Sequence, residues 1–180
     1  MKKYYLLLLC ITLLVGIACN EEPKEQGDRG YHVKVGDTVD DISFTLTDSS
    51  TLLLSELKGK VVVLQFTASW CSVCRKEMPF LEREVWQKYK DKDFVLIGVD
   101  YDEPIDTVLA FTEKMETTYP MALDPHGDIF AKFAYKKSGV TRNVVIDREG
   151  KIAYLTRLFD REEFDAMKDK IEALVHYQMP

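Results

Sequence analysis

Val61-Val62-Val63-Leu64-Gln65-Phe66, followed by Thr67-Ala68-Ser69-Trp70 and then Cys71-Ser72-Val73-Cys74-Arg75, is the stretch that decides the fold of this chain. Its first six residues form a continuous, largely β-branched run, the pattern of a strand covered on both faces. From about Cys71 to Tyr89 the apolar residues Phe80, Leu81, Val85, Trp86 and Tyr89 line one helical face. The stretch predicts a central strand that turns directly into a helix, with two cysteines at its start. Pro79 falls inside that helix, where it removes a backbone donor and is expected to bend it.

Working outward, Ile42 to Leu46 and Thr51 to Leu54 are short runs separated by Asp48-Ser49-Ser50, which is turn chemistry, so an N-terminal β-hairpin is expected. Phe94 to Val99 repeats the buried-strand pattern, and Pro104 opens a second helix that runs to about Met115. Met121 to Leu123 reads as a short strand and Ile129 to Ala134 as a short helix. Asn143 to Ile146 and Ile152 to Leu155 flank Asp147-Arg148-Glu149-Gly150, a second hairpin. Asp160 with Glu163 makes a capping-box-like start to a last helix, lined by Phe164, Met167, Ile171, Leu174 and Val175. A βαβ half followed by a hairpin and a terminal helix implies an α/β, thioredoxin-like fold: a central mixed β-sheet with helices on both faces, extended by the N-terminal hairpin.

At 180 residues with 46% hydrophobic content, the chain suits one globular domain, expected here over residues 31–180. With 24 basic against 30 acidic residues and no basic stripe, nucleic acid is excluded as an expected partner. Lys2 and Lys3 precede an apolar segment from Leu6 to Ala18 that is short for a bilayer span, so residues 1–18 read as a signal peptide. Its end, Val15-Gly16-Ile17-Ala18-Cys19, resembles the lipobox of bacterial lipoproteins, although Gly16 stands where that motif usually has Leu. The resemblance implies a lipidated Cys19 and a chain anchored in the bacterial cell envelope, facing the periplasm or the cell surface. Residues 20–30 carry no apolar side chain, so residues 19–30 are expected to be a solvated tether.

Two of the four cysteines lie in the leader or at its end, which leaves Cys71 and Cys74 for the domain. A loop this short adds little chain-entropy stabilisation, so the pair is better explained by chemistry than by stapling. The first sulfur sits at a helix N-terminus, where free N–H groups and the macrodipole favour a thiolate. Cys71 is therefore the expected nucleophile and Cys74 the resolving thiol. A zinc site wants four ligands, and His32, His126 and His176 are scattered, so no metal is expected.

Gly59-Lys60-Val61-Val62-Val63-Leu64, Trp70-Cys71-Ser72-Val73-Cys74-Arg75, Glu77, Pro79 and Val145-Ile146-Asp147 with Gly150 together resemble the TlpA-like membrane-associated thioredoxins, which include the cytochrome-maturation type. The resemblance covers roughly residues 35–175. It implies a monomeric thiol-disulfide oxidoreductase, acting as a reductase on protein disulfides in the envelope. It also implies an upstream electron donor and no cofactor beyond the Cys71-Cys74 couple. By the same resemblance Glu77 matches an acidic residue that tunes thiol ionisation and moves protons, the alternative being a merely exposed charge. Trp70, Val140, Thr141 and Arg142 correspond to substrate-docking or tuning positions.

Two residues depart from that family. Val73 replaces the proline often found before the second cysteine. Gly139-Val140-Thr141-Arg142-Asn143 places Thr141 where the family has a cis-proline facing the sulfurs. The expectation is a cis Val140-Thr141 bond with the Thr141 side chain facing Cys71. Two other functions compete. A peroxidase on this fold needs a threonine three residues before its cysteine, where this chain has Ala68. A redox-inactive binding module would be favoured only by Thr141.

Overall fold

The computed structural model describes residues 29–177; the expected signal peptide and all of the expected tether before Arg29 lie outside the described residues. Seven strands form one sheet: β1 (Ser43–Leu46), β2 (Thr51–Leu53), β3 (Val61–Thr67), β4 (Phe94–Tyr101), β5 (Met121–Asp124), β6 (Arg142–Ile146) and β7 (Ile152–Arg157). Their spatial order is β2-β1-β5-β4-β3-β6-β7. Every residue of β3 is buried, as the unalternating run predicted, because β4 pairs with it in parallel and β6 antiparallel while both of its faces are covered.

Strand periodicity divides β3 between two cores. Val62, Leu64 and Phe66 join Phe44, Ile97, Val99, Val144 and Ile146 on one face. Val61 and Val63 join Leu96 and Val145 on the other. Gln65 and Thr67 continue this second face at the C-terminal end of the strand.

The helices are shared unequally between these faces. The α-helices are α1 (Ser72–Phe80), α2 (Gln87–Tyr89), α3 (Ile105–Met115) and α4 (Arg161–His176). Met78, Tyr89, Val108, Phe111, Phe164, Met167 and Ile171 bring all four to the second face. The reason is topological. β3, β4 and β5 step in one direction across the sheet, and right-handed crossovers then place both connections on the same side. The opposite face is closed by 3-10 turns at Leu54–Leu57 and Phe130–Lys132 and by Tyr31, Val33 and Val39 of the leading segment.

Pro79 has a different consequence from a simple bend. Leu81–Trp86 forms a π-helical segment between α1 and α2, and the Gln87 N–H donates to the carbonyl of Glu82, five residues back. A ladder that lacks the proline donor slips by one residue, and this keeps Leu81, Val85 and Tyr89 facing the sheet. Asp160 caps α4 by accepting from the Glu163 N–H at 3.0 Å. The Glu163 carboxylate also accepts from the Arg29 guanidinium and the Arg157 N–H. Of the expected tether, Arg29 and Gly30 are tied to the domain: Arg29 also donates to the Arg157 carbonyl at 2.8 Å, and the Gly30 carbonyl accepts from the Tyr135 N–H at 3.0 Å.

Candidate active site

β3 ends at Thr67 and the chain turns through Ala68, Ser69 and Trp70 into α1, whose N-cap residue is Cys71. The cap is the sulfur itself: the Cys74 N–H donates to Cys71 Sγ at 3.1 Å. Cys71 and Cys74 form a disulfide with Cα atoms 5.3 Å apart. Cys71 retains 7% exposure and Cys74 none, so the first sulfur is the one a partner can reach. Trp70, 61% exposed, stands beside it as an aromatic surface at the rim. The guanidinium of Arg75 returns from α1 to the Ser69 carbonyl at 2.5 Å and ties the turn to the helix.

Thr141 completes the sulfur environment from the segment that enters β6. Its hydroxyl lies 3.1 Å from Cys71 Sγ and 3.3 Å from Cys74 Sγ. The side chain thus faces the cysteines as expected, but the peptide geometry differs from the expectation. There is no cis peptide bond among the described residues, so Val140-Thr141 is trans. A cis bond before a residue other than proline costs about 2.5 to 4 kcal/mol, and nothing here offsets that cost. Gly139, at φ +85°, provides the turn instead; a Cβ there would also come within 2.7 Å of the Arg157 guanidinium. Val140 is buried in the same core as Cys71.

Arg142 was expected at a substrate-docking or tuning position, and its burial removes the docking half of that expectation. It is fully buried, donates to the carbonyls of Arg29, Ser138 and Gly139, and stacks 4.3 Å over the Tyr31 ring. Its guanidinium stiffens the loop behind Thr141 and joins that loop to the leading segment. It presents nothing to a partner.

Glu77 follows Cys74 by three residues, on the stripe of α1 that faces the sheet, and is 1% exposed. Its Oε1 accepts from Asn143 Nδ2 at 2.7 Å, and that same nitrogen donates to Thr156 Oγ1 at 2.9 Å. Gln65, paired with Asn143 across β3 and β6, accepts from the Tyr119 hydroxyl through its Oε1 at 2.7 Å. Burial pushes the Glu77 carboxyl up to about 7, against the opposing pull of the hydrogen bond from Asn143. Glu77 and Cys74 are buried on the same face of α1, one helical turn apart. The merely exposed charge is excluded by its burial.

The chain matches the Redoxin family model over residues 34–174. It is 32% identical over 151 residues to the thiol-disulfide oxidoreductase ResA of Bacillus thuringiensis subsp. konkukian, covering 82% of this chain and 80% of that protein. Among solved structures, a candidate protein disulfide isomerase from Bacteroides thetaiotaomicron superposes with a TM-score of 0.80 at 55% identity, covering 82% of this chain and 94% of the other. A candidate thiol:disulfide interchange protein DsbE from Chlorobium tepidum does so with a TM-score of 0.69 at 27% identity, covering 79% and 99%. The chain belongs to the redoxin family. It is a thiol-disulfide oxidoreductase of the thioredoxin superfamily, with Cys71-Cys74 as its redox pair.

The sequence reading missed the groups that surround Glu77 in this redoxin: Gln65, Tyr119, Asn143 and Thr156. A signal for two of them was present, since Gln65 and Asn143 are polar residues inside otherwise apolar strand runs, and buried polar groups find partners. The histidines take no part. His126 is exposed beside Asp102, His176 lies at the end of α4, and His32 meets the Ala131 carbonyl. Among the described residues no group of three potential ligands is placed to hold a metal ion.

Proposed function

We propose that this redoxin reduces disulfides of partner proteins in the bacterial cell envelope, with Cys71 as attacking thiolate, Cys74 as resolving thiol and Glu77 as proton relay. The observation that carries the reading is the Glu77 carboxyl, buried behind a Cys71-Cys74 pair and held near neutrality. In the reduced protein the Cys71 thiolate attacks a partner disulfide; a mixed disulfide forms and one partner thiolate leaves. Cys74 gives its proton to the Glu77 carboxylate, attacks Cys71 Sγ, and displaces the second partner sulfur as a thiolate. The partner gains two electrons and the protein ends as the disulfide. An upstream dithiol donor restores it. Thr141 supplies a hydroxyl that hydrogen-bonds a sulfur anion at either position.

The envelope location rests on the leader and on Cys19 as the site of lipidation. Acyl chains supply the membrane affinity, since among the described residues no helix is long and apolar enough to cross a bilayer. The equilibrium potential of the Cys71/Cys74 couple against glutathione tests the direction. A value near −270 mV, about that of thioredoxin, supports the reductase; one near about −120 mV, as in DsbA, reverses the flow. Cys19→Ala should release the protein from membranes; a wild-type chain found wholly in the soluble envelope fraction refutes the anchor.

A further inference from the structure

The turn that presents Cys71 is held from outside itself. Ala68, Ser69, Trp70 and Cys71 form a β-turn closed by the Cys71 N–H, which donates to the Ala68 carbonyl at 3.0 Å. Ser69 is its second residue, whose own N–H and carbonyl have no partner within such a turn. Other elements take both. The Ser69 carbonyl accepts from the Arg75 guanidinium of α1 at 2.5 Å. The Ser69 N–H donates to Glu103 Oε2 at 2.5 Å, and the Ser69 hydroxyl donates to Glu103 Oε1 at 2.6 Å. Both oxygens of one carboxylate thus grip a single residue, two positions before the nucleophile.

Glu103 comes from the segment between β4 and α3, and its backbone is fixed on both sides. Asp102, just before it, has φ +56°, in the left-handed region that residues other than glycine seldom occupy. The Asp102 N–H donates to the Asp124 carbonyl at 3.1 Å, and Asp102 Oδ1 accepts from the His126 N–H at 2.9 Å. His126 is left-handed as well, at φ +64°. Pro104, just after, keeps the Glu103 backbone out of the α region. The loops that leave β4 and β5 therefore lock together through two strained residues, and strain of this kind persists where surrounding contacts over-determine it, often at functional sites. A carboxylate in this place would ordinarily serve the N-terminus of α3. This one turns both oxygens to Ser69 instead.

We propose that Glu103 is the positioning residue of the active-site turn, anchoring Ser69 so that Trp70 and Cys71 Sγ meet a partner disulfide in one fixed orientation. Mixed-disulfide formation needs the attacking sulfur in line with the S–S bond, and a turn free to swing loses that alignment. Hydrogen bonds to a carboxylate are roughly twice as strong as those between neutral groups, so one side chain suffices to hold the turn. The role rests on Cys71 as the sulfur that forms the mixed disulfide, and it holds for either direction of electron flow because the same sulfur is joined both ways. What Glu103 supplies is reach and two acceptors rather than charge.

Three replacements separate reach from charge. Glu103→Gln keeps the length, and its amide can accept from the Ser69 N–H while donating to the Ser69 hydroxyl oxygen. Glu103→Asp keeps the charge but falls one methylene short. Glu103→Ala removes both. Two rates are measured on the full chain in detergent: single-turnover exchange of the reduced protein with insulin disulfides, and alkylation by iodoacetamide at a pH that fully ionises the thiol, read at Cys71 by peptide mass. Exchange with insulin should fall about tenfold or more in Glu103→Ala and Glu103→Asp and stay within about threefold of wild type in Glu103→Gln. Alkylation asks only for an open thiolate and should change by less than about threefold in all three. Ser69→Ala, which removes the hydroxyl and keeps the N–H, gives a milder variant for the case that Glu103→Ala does not fold; its exchange with insulin should fall about threefold or more. Equal loss in Glu103→Gln and Glu103→Ala, a wild-type rate in Glu103→Asp, or exchange and alkylation that fall together overturns the role of Glu103 alone. Labelling of Cys74 before Cys71 in the wild type overturns the Cys71 assignment together with the role built on it.

Discussion

Replacing Glu77 by Gln should stabilise the oxidised protein at neutral and alkaline pH while slowing its chemistry. The Glu77 carboxyl rises from 4.5 to about 7 on folding, a difference worth about 3 kcal/mol between its two protonation states at about 1.36 kcal/mol per unit. The sign follows from linkage. The folded protein binds this proton more tightly than the unfolded chain, so Glu77 costs no stability below pH 4.5. The cost grows as pH rises to about 7 and is constant above it. The Glu77→Gln side chain keeps the volume and an acceptor for Asn143 Nδ2 but never ionises. The stability difference between Glu77→Gln and wild type should therefore be small at pH 4 and grow to about 2 to 3 kcal/mol in favour of the variant by pH 8. Urea unfolding of the oxidised forms at several pH values measures it, with the subtraction removing every other titrating group. Thiol-disulfide exchange by the reduced variant should be slower by about tenfold or more at pH 7, as expected for a lost proton relay. A difference that stays flat with pH, or a variant that is less stable at pH 8, refutes the buried, proton-holding Glu77. Unchanged exchange rates reduce it to a structural residue.

The other expectations bear on the sulfurs and the leading segment. In the reduced protein Cys71 should react with an alkylating agent before Cys74, since it alone of the two retains exposure; preferential labelling of Cys74 reverses the assigned roles. Thr141→Val removes the hydroxyl that meets both sulfurs and should slow Cys71 alkylation at pH 7 by about fivefold, the equivalent of one hydrogen bond of about 1 kcal/mol. With a trans Val140-Thr141 bond there is no cis strain for Thr141→Pro to relieve, so that variant should gain no thermal stability, and a raised Tm would contradict this geometry. Arg29→Ala breaks the contacts with Glu163 and the Arg157 carbonyl and should cost about 1 kcal/mol in denaturant unfolding, with earlier proteolysis of the leading segment.

The buried polar face beneath α1 gives the site its character. Apolar side chains fill the second core along most of β3, β4 and β6, but near the cysteines the same face carries Gln65, Thr67, Asp100 and Asn143. Two of the carboxyls there, Glu77 and Asp100, are both held near or above neutrality by burial. A low-dielectric site with few donors is costly for folding and useful for moving protons.

Local patterns in the sequence determined the central strand, the cysteine-bearing helix start, both hairpins and the Asp160 cap. Each of these depends on residues within one or two turns of chain, where periodicity, turn chemistry and capping act. The same local rules placed Pro79 as an irregularity but not its form, because the π-helical slip is chosen by what α1 must keep facing the sheet. Only the tertiary structure decided that Glu77 is buried, since a carboxylate on the first turns of a helix reads the same whether solvent or Asn143, 66 residues away, lies opposite. The Thr141 side chain was expected at the sulfurs from the family resemblance, yet the trans bond that brings it there is permitted by Gly139 and by Arg142 turning inward to Tyr31. Glu103 stands in sequence only as a carboxylate beside Pro104, at the start of α3. It grips Ser69 because parallel pairing of β3 and β4 sets the ends of both strands side by side, a contact no local pattern encodes.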